Sequence, residues 1–243
     1  MNRNWIVSVT MLVLSSISHA KVTVKVNGEQ HNYEERPRLT EVLQPYALQQ
    51  RWYWPAAALY RIDSQRAEHI RRDLVVLGEE ILQQTDDTAL QDALKLLLLQ
   101  VNQWQLAERI FIPLDYDAAS VQVSLNPLFD AGSYSVMLKR RPTMVHIAGA
   151  VSRSVSVPHN SASHVKVYLQ EEQFSHGADR SRVAVVQPDG RVIIAGTESW
   201  NSEHVEAMPG AQLLVLFAEP LLDKRFATLN NLLQQLAVHR IFP

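Results

Sequence analysis

The chain has no cysteine among its 243 residues. Disulfide staples and thiolate-held metal are thereby excluded, so burial and backbone pairing must supply the stability. Glycine is scarce at eight residues, and none are spaced as a Gly-x-Gly-x-x-Gly phosphate loop or a Gly-x-Ser-x-Gly nucleophile elbow. No His-Glu-x-x-His stretch occurs, and the nine histidines are scattered. An excess of one charge is also lacking. Lys and Arg number 23 against 25 Asp and Glu, for a formal net of −2, too little to argue for nucleic acid or an anionic membrane surface. Beyond residue 20 no apolar run approaches the roughly 20 residues of a membrane span. No cofactor is implied.

The first twenty residues are distinctive. Asn2 and Arg3 precede an apolar run from Trp5 to Leu14, and small residues follow as far as Ser18-His19-Ala20. This is the layout of a secretory signal peptide, with cleavage expected after Ala20. The expectation is an exported, soluble protein of about 223 residues, enough for one large domain or two small ones.

Hydrophobic spacing predicts an α+β chain. Val22, Val24 and Val26 alternate up to Asn27-Gly28, a strand entering a tight hairpin turn. Leu39, Val42, Leu43, Tyr46 and Leu48 then suggest a short helix. Across residues 64–105, Ala67, Ile70, Leu74, Leu77 and Ile81, then Leu90, Leu94, Leu97, Val101 and Trp104, recur at steps of three and four. Two helices joined at Asp86-Asp87 form an antiparallel helical hairpin, capped by one of those aspartates. Strands are expected at 110–114, 121–125 and 134–138. After Arg140-Arg141-Pro142 a second strand-rich unit begins, with hairpins about Gly149 and Pro188-Asp189-Gly190, a short helix near 165–169, and an apolar strand at 212–217 buried on both faces. Both halves share the order hairpin, short helix, further strands. From Pro220, placed at a first helical turn, Leu222, Phe226, Leu229, Leu233 and Leu236 form a narrow apolar seam. That amphipathic tail helix has two readings: a cap on the chain's own sheet, or a surface for a partner helix.

Candidate chemistry is sparse, and the chain reads as a non-enzyme. Trp52-Tyr53-Trp54-Pro55 places three rings in a row, suited to core packing or to stacking on sugar rings. Arg109, at the exit of the helical hairpin, is a candidate for bidentate capture of a carboxylate or phosphate. Asp115 and Asp117 are most simply turn formers; the alternative is a carboxylate pair of a polysaccharide hydrolase or lyase.

The order of Val-Asn-Gly28, Arg51-Trp52-Tyr53-Trp54-Pro55-Ala56, Arg140-Arg141-Pro142, His146-Ile147-Ala148-Gly149, Gln187-Pro188-Asp189-Gly190, Trp200-Asn201 and Pro209-Gly210-Ala211-Gln212-Leu213 resembles the GfcC (YjbG-like) family over essentially the whole mature chain. The resemblance implies a periplasmic accessory of capsule or exopolysaccharide production in Gram-negative bacteria. It implies two β-grasp domains like the SLBB domains of polysaccharide export proteins. The first would span 21–142 with the helical hairpin inserted, the second 143–219, and a C-terminal helix 220–243. It also implies an Arg in a cleft at the position of Arg109, with polysaccharide or export proteins as partners.

Overall fold

The structure, a computed structural model, describes residues 21–170 and 173–242. The expected signal peptide, 1–20, lies outside the described residues.

The alternating valines bury one face of β1 (Val22–Val26), which pairs antiparallel with β2 (Glu29–Tyr33). Asn27 and Gly28 make the turn at φ 48° and 93°, as a two-residue hairpin requires. α1 (Leu39–Ala47) lays Leu39, Val42, Leu43 and Tyr46 against that face. Strands β3 (Ala58–Arg61), β4 (Glu108–Ile110) and β5 (Gly132–Met137) complete a sheet of order β2-β1-β5-β3-β4. β1 and β5 run parallel, and the other neighbours antiparallel.

The second sheet comprises β6 (Met144–Gly149), β7 (Val155–Pro158), β8 (Ala178–Val186), β9 (Val192–Gly196) and β10 (Gln212–Phe217). Its order is β7-β6-β10-β8-β9, again with the first and last strands parallel. Taken in chain order the two topologies are identical, with the 3₁₀ turn Val165–Tyr168 standing where α1 stands in the first. All six residues of β10 are buried, the apolar run Leu213–Phe217 and Gln212 ahead of it alike.

The two units differ between their third and fourth strands. In the second, β8 reaches β9 through the tight Pro188-Asp189-Gly190 turn; in the first, β3 reaches β4 through α2 (Arg66–Gln84) and α3 (Thr88–Asn102). Asp87 caps α3 by accepting the Ala89 and Leu90 N–H groups at 3.0 and 3.1 Å. The inserted helices do not pack in the first sheet's core. Leu74, Ile81, Leu94, Leu97 and Val101 join Ile147, Val185, Leu213 and Leu214 of the second sheet, together with α5 (Arg225–Ala237). Gln100 of α3 fastens the join: its amide accepts the Gly149 N–H at 2.8 Å and donates to the Gly149 carbonyl at 3.3 Å.

Three local expectations are corrected. Residues 121–125 are not a strand. They lie in α4 (Tyr116–Val121) and the following 3₁₀ turn, with Val121 86% exposed. Asp115 decides this by capping α4 through the Ala118 N–H at 3.0 Å. β4 ends at Ile110, where residues 110–114 were expected to begin a strand. The tail helix starts at Arg225, not Pro220, so Leu222 falls outside it and is fully exposed. Phe226, Leu229, Leu233 and Leu236 are buried against α2 and the second sheet of the same chain. Asn230, a polar residue of the same helix, is buried too. Its amide accepts the Phe217 N–H at 2.9 Å and donates to the Phe217 carbonyl at 2.8 Å.

Candidate functional site

A cavity of about 390 Å³ lies between the two sheets. Register places its walls. Ala58 and Tyr60 of β3 stand beside Met137 of β5 and Arg109 of β4 on one side. Across from them His146, Gln212 and Val186 form one row over three neighbouring strands of the second sheet. The connection between the sheets adds Lys139 and Arg140, and the chain end adds Arg240 and Phe242. The end is held by Ile241 N–H donating to the Gln105 carbonyl at 2.8 Å and Ala107 N–H donating to the His239 carbonyl at 3.1 Å.

Four cationic side chains line this cleft and, among the described residues, no carboxylate side chain does. Their partners are neutral. Arg109 donates to the Pro188 carbonyl, and Lys139 to the Phe242 carbonyl. The Arg240 guanidinium lies 4.7 Å from the Trp104 ring centre and 4.4 Å from that of Phe242. Burial lowers the pKa of Arg109 and of Lys139, and brings Arg240 down to about 10, which still leaves Arg240 charged at neutral pH. Burial, helped by Arg240 and Lys139, pushes His146 down to about 4 and keeps it neutral. Its ring stacks on Phe242 at 4.3 Å and meets Ser156 Oγ at 2.8 Å. Gln212 is 1% exposed, and neither its amide nitrogen nor its amide oxygen has a hydrogen-bond partner. Such an arrangement can receive an anion. Charges of one sign held in a low-dielectric cleft are repaid only by a ligand of the other sign.

Of the residues singled out from sequence, Arg109 lines the cleft. Trp52, Tyr53 and Trp54 do not; only Ala56 from that segment reaches it. Trp52 and Trp54 pack on the first sheet's core, with Trp52 Nε1 donating to the Tyr46 carbonyl at 2.8 Å, while Tyr53 lies under the Arg141 guanidinium at 5.3 Å. Asp115 is the N-cap of α4, Asp117 lies in its first turn, and neither lines the cleft. Lys139, Arg240, His146 and Gln212 were missed. Gln212 left a trace, as the one polar residue opening an otherwise apolar strand. Among the described residues no three His, Asp or Glu side chains gather as a metal site, and no helix is long and apolar enough to cross a membrane.

The fold and cleft thus define a class: a mixed α+β protein of two five-stranded units sharing one topology, with a basic cavity between them. Family comparison gives that class its place. Residues 18–141 match the model described as capsule biosynthesis GfcC, N-terminal, and residues 153–242 match capsule biosynthesis GfcC C-terminal. The chain is also 30% identical, over 247 aligned positions and 99% of each sequence, to a protein of Escherichia coli (strain K12) named Uncharacterized protein YjbG. The chain therefore belongs to the GfcC family of capsule biosynthesis proteins.

Proposed function

We propose that the protein is a non-enzymatic, periplasmic accessory of capsule or exopolysaccharide assembly or export, and that it acts by binding. In this reading each unit is a β-grasp domain of the SLBB kind, a description supported by the mixed sheet with parallel first and last strands at its centre. The observation that carries the proposal is the inter-sheet cleft, which offers cations, an amide and aromatic rings and, among the described residues, no pair of carboxylate side chains for acid–base cleavage of a glycosidic bond. The glycan enters this cleft, and the remaining surface serves the export machinery.

Deletion of the gene in a producing strain tests the role. Surface polysaccharide should fall, and the wild-type gene and Asp117→Asn should both restore it. Arg109→Ala, if its melting curve shows a folded protein, should not. Unchanged polysaccharide in the deletion strain overturns the proposal, as does cleavage of the polymer by the pure protein.

A further inference from the structure

We propose that the cleft is built for a carboxylate-bearing sugar, with Arg240 and Lys139 receiving the acid group and Gln212 a neighbouring hydroxyl. The inference rests on the reading of the cleft as the glycan site and narrows it to one chemical class.

Three independent features converge. The first is the state of the cations. Among the described residues Arg240 makes no hydrogen bond or ion pair through its guanidinium, and two aromatic rings are its contacts. Lys139 has only a backbone carbonyl, that of Phe242, which occupies the place of one carboxylate oxygen. The acid nearest in effect is Asp189, which acts on Arg109 from outside the lining and is already paired with Arg191 at 2.6 Å. A carboxylate oxygen is a stronger acceptor than any partner these groups now have.

The second feature is Gln212. Native proteins rarely bury an amide with both ends unsatisfied, and the exceptions mark places where something else supplies the partners. A hydroxyl both donates and accepts, so sugar hydroxyls satisfy both ends of this amide, which an anion carrying no hydroxyl does not. Thr143, also on the wall, adds a further hydroxyl-reading group.

The third feature is the size of the cleft. A cavity of about 390 Å³ sits at the small end of ligand sites, which run from about 300 to 1,000 Å³. It therefore takes a short saccharide segment, not a long stretch of polymer.

Calorimetric or NMR titration of the full mature chain with tri-galacturonate, maltotriose and inorganic phosphate tests the assignment. The acidic trisaccharide should bind at least tenfold tighter than the neutral one, and its affinity should fall as salt rises from 50 to 500 mM. Arg240→Gln should weaken that binding tenfold or more. Gln212→Leu should leave the melting temperature unchanged or higher yet weaken the acidic sugar severalfold. Equal binding of maltotriose overturns the proposal while leaving a glycan cleft in place. Phosphate binding as tight as the acidic sugar overturns it in favour of a generic anion site. Absence of all three, in a protein whose deletion still costs the cell its polysaccharide, overturns it and leaves the accessory role standing.

Discussion

Asn230 offers the sharpest test of how the tail helix is held. Its side chain accepts the Phe217 N–H at 2.9 Å, donates to the Phe217 carbonyl at 2.8 Å, and reaches Glu219 Oε1 at 3.1 Å. Phe217 is fully buried and lies beyond Val215, the last β10 residue paired with β6. Nothing else in the β6 ladder can serve these two backbone groups. Asn230→Ala strips both partners at once, and a buried orphaned backbone group costs about 1–3 kcal/mol. The expected loss is about 3 kcal/mol, worth on the order of 10 °C in melting temperature for a chain of this size. Urea unfolding followed by circular dichroism measures it, with Asn231→Ala as control. Asn231 is exposed on the same helix, and its loss should stay within about 0.5 kcal/mol. A stability for Asn230→Ala indistinguishable from that control would refute the account of how α5 docks.

Two further outcomes concern a glycine and a histidine. Gly149 has φ 96°, and a Cβ there would lie 2.2 Å from the Val215 carbonyl oxygen, whereas Gly28 at φ 93° has open space around it. Gly149→Ala should cost about 3 kcal/mol or more, and Gly28→Ala only about 1 kcal/mol, in parallel denaturant titrations; equal losses would show that the close approach is unimportant. The third concerns pH. His146, ordinarily near 6.5, is held at about 4 by burial, Arg240 and Lys139, and burial lowers His239 as well. Between those values the unfolded chain binds protons that the folded chain excludes, so stability should fall as pH drops from about 6.5 to 4. The full His146 shift corresponds to about 3 kcal/mol, reduced to about 1–2 kcal/mol by its partial solvent contact. Replacement by Gln should flatten that slope; an unchanged slope would exclude His146 as its source.

Periodicity was a sound guide wherever packing follows one helical or strand face. The Val22–Val26 alternation, the α2–α3 rhythm and the apolar β10 each mark the face that is buried, whatever part of the chain lies opposite. It misled where a polar residue controls the backbone. Val121, Val123 and Leu125 alternate like a strand, but Asp115 caps a helix just ahead of them. It was silent on β3, whose Ala58–Arg61 shows no alternation and becomes a strand only by lying between β4 and β5. The seam from Leu222 to Leu236 likewise ran one turn too far, since Asp223 turns back onto the Arg225 N–H and guanidinium at 3.0 and 2.9 Å before the helix begins. The cleft was the least legible part. Arg109 could be singled out because it follows a helix and precedes apolar residues. Lys139 and His146, Gln212, and Arg240 come from three separate stretches of the chain, and only the facing of two sheets brings them together.

The inserted hairpin has a consequence for how such a protein can change over time. The filling of the later sheet is written ahead of it, within residues 66–102, so the halves cannot be traded as interchangeable modules. A graft of 144–217 from a relative would import strands without the helices that seal them. Drift in those helices must keep step with the downstream strands they cover more closely than with the upstream strands that flank them.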